Sequence, residues 1–153
     1  MASRKERDPE IIPLICQFVA RRNRIQEEDV AALARFCRNH AELSPGEAES
    51  LFALARAGLP SCPEWGDFFA ETLSAWFVED YAGHDVGVGA ARHLITWLGG
   101  DDARLNPACF RLLTQVLERA AHCPEELLAF ARACLMRAMG VERLAPKPDV
   151  QVA

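Results

Sequence analysis

Apolar residues recur three and four positions apart along most of the chain, and no stretch of useful length alternates with period two. The pattern predicts an all-α protein of about seven helices. Prolines and small polar residues mark where those helices start, because proline is tolerated at the first helical position and a side-chain oxygen before it accepts an orphan amide bond. Asp8-Pro9 opens a first segment reaching about Asn23, with Pro13 delaying the regular helix. A second helix runs from about Gln26 to Asn39 with Val30, Leu33, Ala34 and Cys37 on one face. Ser44-Pro45-Gly46-Glu47 has the form of a capping box, in which the Ser44 hydroxyl accepts from the Glu47 amide and the Glu47 carboxylate accepts from the Ser44 amide. The helix it opens carries Ala48, Leu51, Phe52 and Ala55 inward and stops at Gly58 and Pro60.

Cys62-Pro63 opens a fourth helix to about Asp80, with Phe68, Phe69, Leu73, Trp76 and Phe77 inward, and the segment Gly83 to Gly89 breaks it. A fifth, about residues 88 to 98, carries Leu94, Ile95, Trp97 and Leu98 and stops at Gly99-Gly100. Asn106-Pro107 opens a sixth with Cys109, Phe110, Leu113, Val116, Leu117 and Ala120, and Pro124 opens a seventh that Gly140 ends. The expected organisation is one domain over residues 1–144 followed by a flexible tail over 145–153.

The chain also resembles itself. Leu43, Pro45 and Leu51 match Leu105, Pro107 and Leu113 at an offset of 62, with Ser44 and Asn106 as equivalent caps. Cys62, Pro63, Glu64, Phe69 and Ala70 then match Cys123, Pro124, Glu125, Phe130 and Ala131 at an offset of 61. Two pseudo-repeated three-helix units, about 26–83 and 88–140, follow an amino-terminal segment. Each unit leaves an apolar face uncovered, so the two are expected to pack around one core with pseudo-twofold character and with Trp65, Trp76 and Trp97 in the core or seam.

With 153 residues, half of them hydrophobic and a quarter charged, the chain is long enough to bury an ordinary globular core. The net charge of -5 argues against nucleic acid, whose binding needs clustered Lys and Arg. Residues 1–24 differ: six bases against three acids make this end +3 and the remainder -8. No stretch approaches the ~20 apolar residues that cross a bilayer, and the first residues are charged rather than a basic tip before an apolar run. The expectation is a cytoplasmic protein with no membrane partner. Cys16, Cys37, Cys62, Cys109, Cys123 and Cys134 fall mostly within apolar helical patterns and read as reduced, buried residues.

Candidate chemistry meets counter-arguments at each place. The loop Phe36–Glu47 has the length and last residue of a calcium-binding EF-hand loop, yet Phe36, Arg38 and His40 occupy positions that need oxygen donors and Ala41 replaces the glycine. Cys37 with His40, three apart on one helical side, or adjacent His122 and Cys123, could begin a zinc site, but four convergent ligands are needed and no Cys-x-x-Cys pair is present. Gly87-Val88-Gly89-Ala90-Ala91 resembles part of a dinucleotide fingerprint, but a helix precedes it where a strand is required. The polar segment Glu79, Asp80, Tyr81, His84 and Asp85 could set a carboxylate beside an imidazole, and no nucleophile motif accompanies it.

The run Leu43-Ser44-Pro45-Gly46-Glu47-Ala48-Glu49-Ser50-Leu51, between a short loop and a helix, resembles tellurite-resistance TerB-like helical domains. Glu64-Trp65-Gly66-Asp67-Phe68-Phe69 followed by Leu73, then Trp97-Leu98 and Cys123-Pro124-Glu125-Glu126-Leu127, is similar to uncharacterised bacterial relatives of such domains, over about residues 26–139. The resemblance implies an all-helical, stress-associated or scaffolding protein. TerB-like proteins can carry acidic, metal-associated residues, and here Arg38, His40 and Arg104 stand near the loops where acids would be. The leading expectation is therefore a non-enzymatic interaction or scaffolding module that presents aromatic or basic surface to a protein partner, with no cofactor, metal or catalytic residue. The alternatives are a TerB-like metal-responsive protein and an enzyme using Glu79 to Asp85.

Overall fold

The computed structural model describes residues 10–140, so the Asp8-Pro9 start and the segment beyond Gly140 lie outside the described residues. Among the described residues seven α-helices follow one another: α1 (Ile11–Arg22), α2 (Glu27–Phe36), α3 (Pro45–Arg56), α4 (Pro63–Ala75), α5 (Val88–Trp97), α6 (Pro107–Arg119) and α7 (Glu125–Met139). Proline begins α3, α4 and α6, and Gly140 ends α7 in the left-handed conformation with φ 78°. Among the described residues there is no strand, only two isolated parallel bridges. One joins Ile25 to Ser61 ahead of α4, and the other joins Asp85 to His122 ahead of α7.

The capping box forms as its residues predict: Ser44 Oγ accepts from the Glu47 amide at 3.1 Å, and Glu47 Oε1 accepts from the Ser44 amide at 2.9 Å. Asn106 does the same work for α6, its Oδ1 accepting from the Cys109 amide at 3.0 Å. Its Nδ2 also donates to the Ala55 carbonyl at 2.7 Å and so ties the start of α6 to the end of α3. Replacing Ser44 by Ala is expected to cost about 1 kcal/mol, the usual loss for a helix cap, and replacing Asn106 by Ala more than that, because a tertiary bond is lost with the cap. Thermal unfolding of the two variants checks the order.

Three local expectations change. The second helix stops at Phe36 rather than Asn39; Asn39 accepts from the Ala41 amide at 3.1 Å and starts a short 3₁₀ turn, His40–Glu42. Ala34, expected inward, is exposed, because α2 packs through Asp29, Val30 and Leu33. The fourth helix does reach the Asp80 region, but over Trp76–Tyr81 it widens into a π-helical turn, with the Ala82 amide bonded to the Phe77 carbonyl at 2.8 Å and His84 to Val78 at 2.6 Å. Extra backbone in a π turn rotates the following side chains. Here it lays the Tyr81 ring on Trp76 and against Trp97, with centroids 5.2 and 5.3 Å away.

A single core runs through the helices. α4 and α6 make the most extensive helix contact; α2 lies on α4, α1 on α3 and α2, and α7 on α5. Trp65, Trp76 and Trp97 are all buried, and the Trp76 indole donates to the Leu43 carbonyl at 3.0 Å. The expected pseudo-twofold packing is not what forms. A twofold would set α7 on α3 as α4 sits on α6, whereas α3 is covered by α1 and α7 packs on α5. α1 packs chiefly on α3, α2 on α4, α4 on α6 and α5 on α7, while α3 touches α4, α5 and α6 lightly and about equally.

Candidate functional site

The polar segment after α4 gathers three of the four histidines around it. His40 Nδ1 lies 2.5 Å from Asp80 Oδ2, and its Nε2 lies 3.7 Å from Glu79 Oε1. Arg119 on α6 donates to Glu79 at 3.2 Å and to Glu71 at 2.7 Å. Tyr81 bonds through its hydroxyl to His93 on α5, and Asp85 lies 3.1 Å from His122. His84 takes φ 77° in the exposed turn. An imidazole oriented by a carboxylate is half of a general-base arrangement, but the other half is a nucleophile or water site at the second nitrogen. That nitrogen of His40 faces the Glu79 carboxylate. What the geometry provides is a charged clasp joining the 3₁₀ turn, the π turn and α6.

The metal-candidate residues are not brought together. Cys37 is buried at the end of α2 while His40 sits on the 3₁₀ turn facing Asp80, so the two do not share a helical side as their spacing predicts. His122 is exposed beside Asp85, and neighbouring Cys123 is half-buried. In the EF-hand-length loop the Glu47 side chain is buried and accepts from the Ser44 amide, and Asn39 caps the 3₁₀ turn. Among the described residues no group of three or more His, Cys, Asp or Glu could hold a metal ion. Gly87 caps the start of α5 and follows the π turn rather than a strand.

Two clefts are worth weighing as sites. One of about 290 Å³, between the starts of α4 and α6, is lined by Ile25, Leu54, Cys62, Trp65, Asn106 and Arg111. Burial and the Glu64 carboxylate push the Cys62 thiol up, which keeps it protonated and weakly nucleophilic. Arg111 pairs with Asp67 across the α4–α6 contact. The other, about 460 Å³, runs between α3 and α5 and holds Glu49, Ser50, Arg56 and Trp97. Its polar groups serve the fold: the Trp97 indole donates to Glu49 at 3.3 Å, and Arg56 donates to the Thr96 and Trp97 carbonyls at 3.3 and 3.1 Å. All six cysteines are free; Cys16, Cys37, Cys109 and Cys134 are buried, while Cys62 and Cys123 are only partly covered.

Exposed apolar surface is where the structure departs most from an inert globule. Apart from Val88, every large exposed hydrophobic among the described residues lies on α1 or α7. Leu14 and Phe18 point outward from α1, and Leu128, Leu135, Met136 and Met139 from α7. The other side of α7 buries Leu127, Phe130 and Cys134, so this helix is apolar on both faces. Sequence reasoning anticipated aromatic or basic contact surface; these residues are mainly aliphatic, and the signal for them was that α7 carries more apolar positions than one buried face accommodates. No helix of the described residues is long and apolar enough to cross a membrane. Comparison with protein-family models, curated proteins and solved structures finds no match to this chain.

Proposed function

We propose that the chain is a non-enzymatic helical interaction module in the cytoplasm, and that it binds protein through the outer faces of α1 and α7. The observation that carries this reading is the two-faced α7. Beside its charged Glu125, Glu126 and Arg132, the helix exposes Leu128, Leu135, Met136 and Met139, and exposed apolar surface marks a contact site. Leu135 is 52% and Met139 66% exposed on its outer side. Most polar groups of the clefts and of the Glu79–Asp85 segment are engaged in holding helices together. Six free cysteines suit a reducing compartment. The same role is what the TerB-like resemblance implies.

A photo-crosslinking residue placed in cells at Leu135 is expected to give an adduct of discrete mass, whereas the same residue at exposed Glu118 on α6 gives none. No adduct from Leu135, or equal adducts from both positions, removes the support for a docking face on α7.

A further inference from the structure

Among the described residues α7 is the longest helix and the least buried for its length. It buries three of fifteen residues, Leu127, Phe130 and Cys134, where α3 buries six of twelve. Its one extensive helix contact is with α5. The aromatic seam of Phe52, Phe69, Trp76, Phe77 and Trp97, which joins α3, α4, the π turn and α5, takes no ring from it. The chain leading into α7 is fixed: the Ala121 amide donates to the His84 carbonyl at 3.0 Å and the Val86 amide to the His122 carbonyl at 3.1 Å. Only Cys123 and extended Pro124 separate that bridge from the first turn of the helix. At the other end Arg137, its side chain 16% exposed, donates from Nη2 to the Asp101 carbonyl at 2.9 Å and from Nη1 to the Ala103 carbonyl at 3.0 Å. The loop that receives it belongs to the rest of the molecule. Arg56 of α3 donates to the Thr96 and Trp97 carbonyls just before it, the Ala103 amide donates to the Gly100 carbonyl at 3.1 Å, and Ala103 is buried against Gly99, where φ is 120° and a Cβ would lie 3.1 Å from that of Ala103.

We propose that α7 is a releasable arm: it swings off α5 as one unit about Cys123-Pro124 while α1 to α6 stay folded, and the Arg137 guanidinium is the latch that holds it closed. A segment with few buried apolar contacts is the one that opens at least cost. The latch sits about 20 Å from the pivot, at ~1.5 Å of helical rise per residue, so a small rotation breaks both carbonyl bonds together. Those bonds are charge-assisted and largely withdrawn from water, which makes them the strongest polar attachment of the arm. The ion pair near the pivot, from Arg92 Nε to Glu126 at 3.0 Å, lies between exposed side chains and adds little. The Cys134 thiol reaches the Ala103 carbonyl only weakly, at 3.8 Å. No helix of the described residues follows α7, so its release breaks no connection between the others. The motion bares the inner face, Leu127, Phe130 and Cys134, and is independent of any partner on the outer one.

Hydrogen exchange of the full chain, read by mass spectrometry peptide by peptide, tests the arm and the latch separately. In the parent, amides from Phe130 to Cys134, in the middle of α7 and away from fraying in its last turn, should exchange at least ~10-fold faster than those of α4 and α6, which open only with the whole molecule. Phe69→Leu weakens the seam alone, so it should speed α4 and α6 several-fold and leave the α7 amides at the parent rate. Arg137→Met keeps the aliphatic stem and removes the donors, and should speed the α7 amides by at least ~10-fold. Arg132→Met, which removes an exposed pair with Glu125 inside the same helix, should leave them unchanged. Amides of α7 that match α4 and α6 in the parent, or that speed with them in Phe69→Leu, overturn the releasable arm. An Arg137→Met rate no faster than that of Arg132→Met overturns the latch. If Arg137→Met does not fold, Arg137→Lys takes its place, and α7 amides that stay at the parent rate in that variant overturn the latch.

Discussion

Replacing Phe52 by Ala is expected to lower the unfolding free energy by about 3–5 kcal/mol, the range for a buried phenylalanine whose site cannot collapse. Phe52 is 1% exposed at the point where α3, α4 and α5 meet. Its ring takes the edge of Phe69 at 5.6 Å and stacks on Trp97 at 5.3 Å, and Trp97 in turn touches Trp76, Phe77 and Tyr81. The rings around the vacated space are held by three separate helices and by the indole bond of Trp97 to Glu49, so little can move in to fill it. Domains of this size have about 5–15 kcal/mol of stability in total, so the loss is a large share of it. Urea unfolding should show a lower midpoint at unchanged slope, while Phe18→Ala on the outer face of α1 stays within about 0.5 kcal/mol of the parent. A Phe52→Ala cost below about 1 kcal/mol would mean that the aromatic seam is not what joins the helices.

Much of this fold was legible because its signals are local. Prolines 45, 63 and 107 open helices at the positions where a missing amide costs nothing, and Ser44 with Glu47, only three residues apart, can be paired on paper as well as in space. The buried stripe of α3, Ala48, Leu51, Phe52 and Ala55, follows from period alone. The π turn at Trp76–Tyr81 had no such signal. Its sequence reads as the continuation of α4, and the widening accompanies the seating of Tyr81 on Trp76 and Trp97, which lie on different helices. The packing order was misread for a related reason: two similar units suggest a twofold, but α1, which precedes both, takes the place on α3 that the twofold reserves for α7.

The candidate site was legible in composition and not in geometry. Glu79, Asp80 and Asp85 stand out as a polar cluster, but their partners His40, Arg119 and His122 lie 37 or more positions away in the chain, and no periodicity reports such pairs. Cys37 and His40 show the reverse error: close in sequence, they are separated when α2 stops at Phe36 and the 3₁₀ turn carries His40 toward Asp80. The outer stripe of α7 was visible as surplus apolar residues, but which of its two apolar faces meets α5 depends on the tertiary packing.

The buried thiols make the stability fall at alkaline pH, and Cys16 should dominate that fall. Burial between α1 and its neighbours pushes the Cys16 thiol up from 9.0 to about 12. Burial likewise raises Cys109 on α6 to about 11, against a smaller downward pull from the Arg56 guanidinium. In the unfolded chain both ionise near the ordinary value, so above pH 9 the unfolded state has lost protons that the folded state still holds. Unfolding then becomes easier with each rise in pH. The stabilisation is therefore complete below about pH 9 and is lost progressively up to the folded value, about 12 for Cys16. Two units of that window lie between pH 9 and pH 11, and at 1.36 kcal/mol per unit they remove about 3 kcal/mol. Cys16→Ala lacks this loss, while Cys109 and the other groups common to both proteins cancel in the difference. The stability gap between parent and Cys16→Ala, measured by urea unfolding under reducing conditions, should be constant up to pH 8 and shift by about 3 kcal/mol against the parent by pH 11. A gap that stays level across that range would show that water reaches the Cys16 sulfur in the folded chain, and with it that α1 does not sit closed on α3.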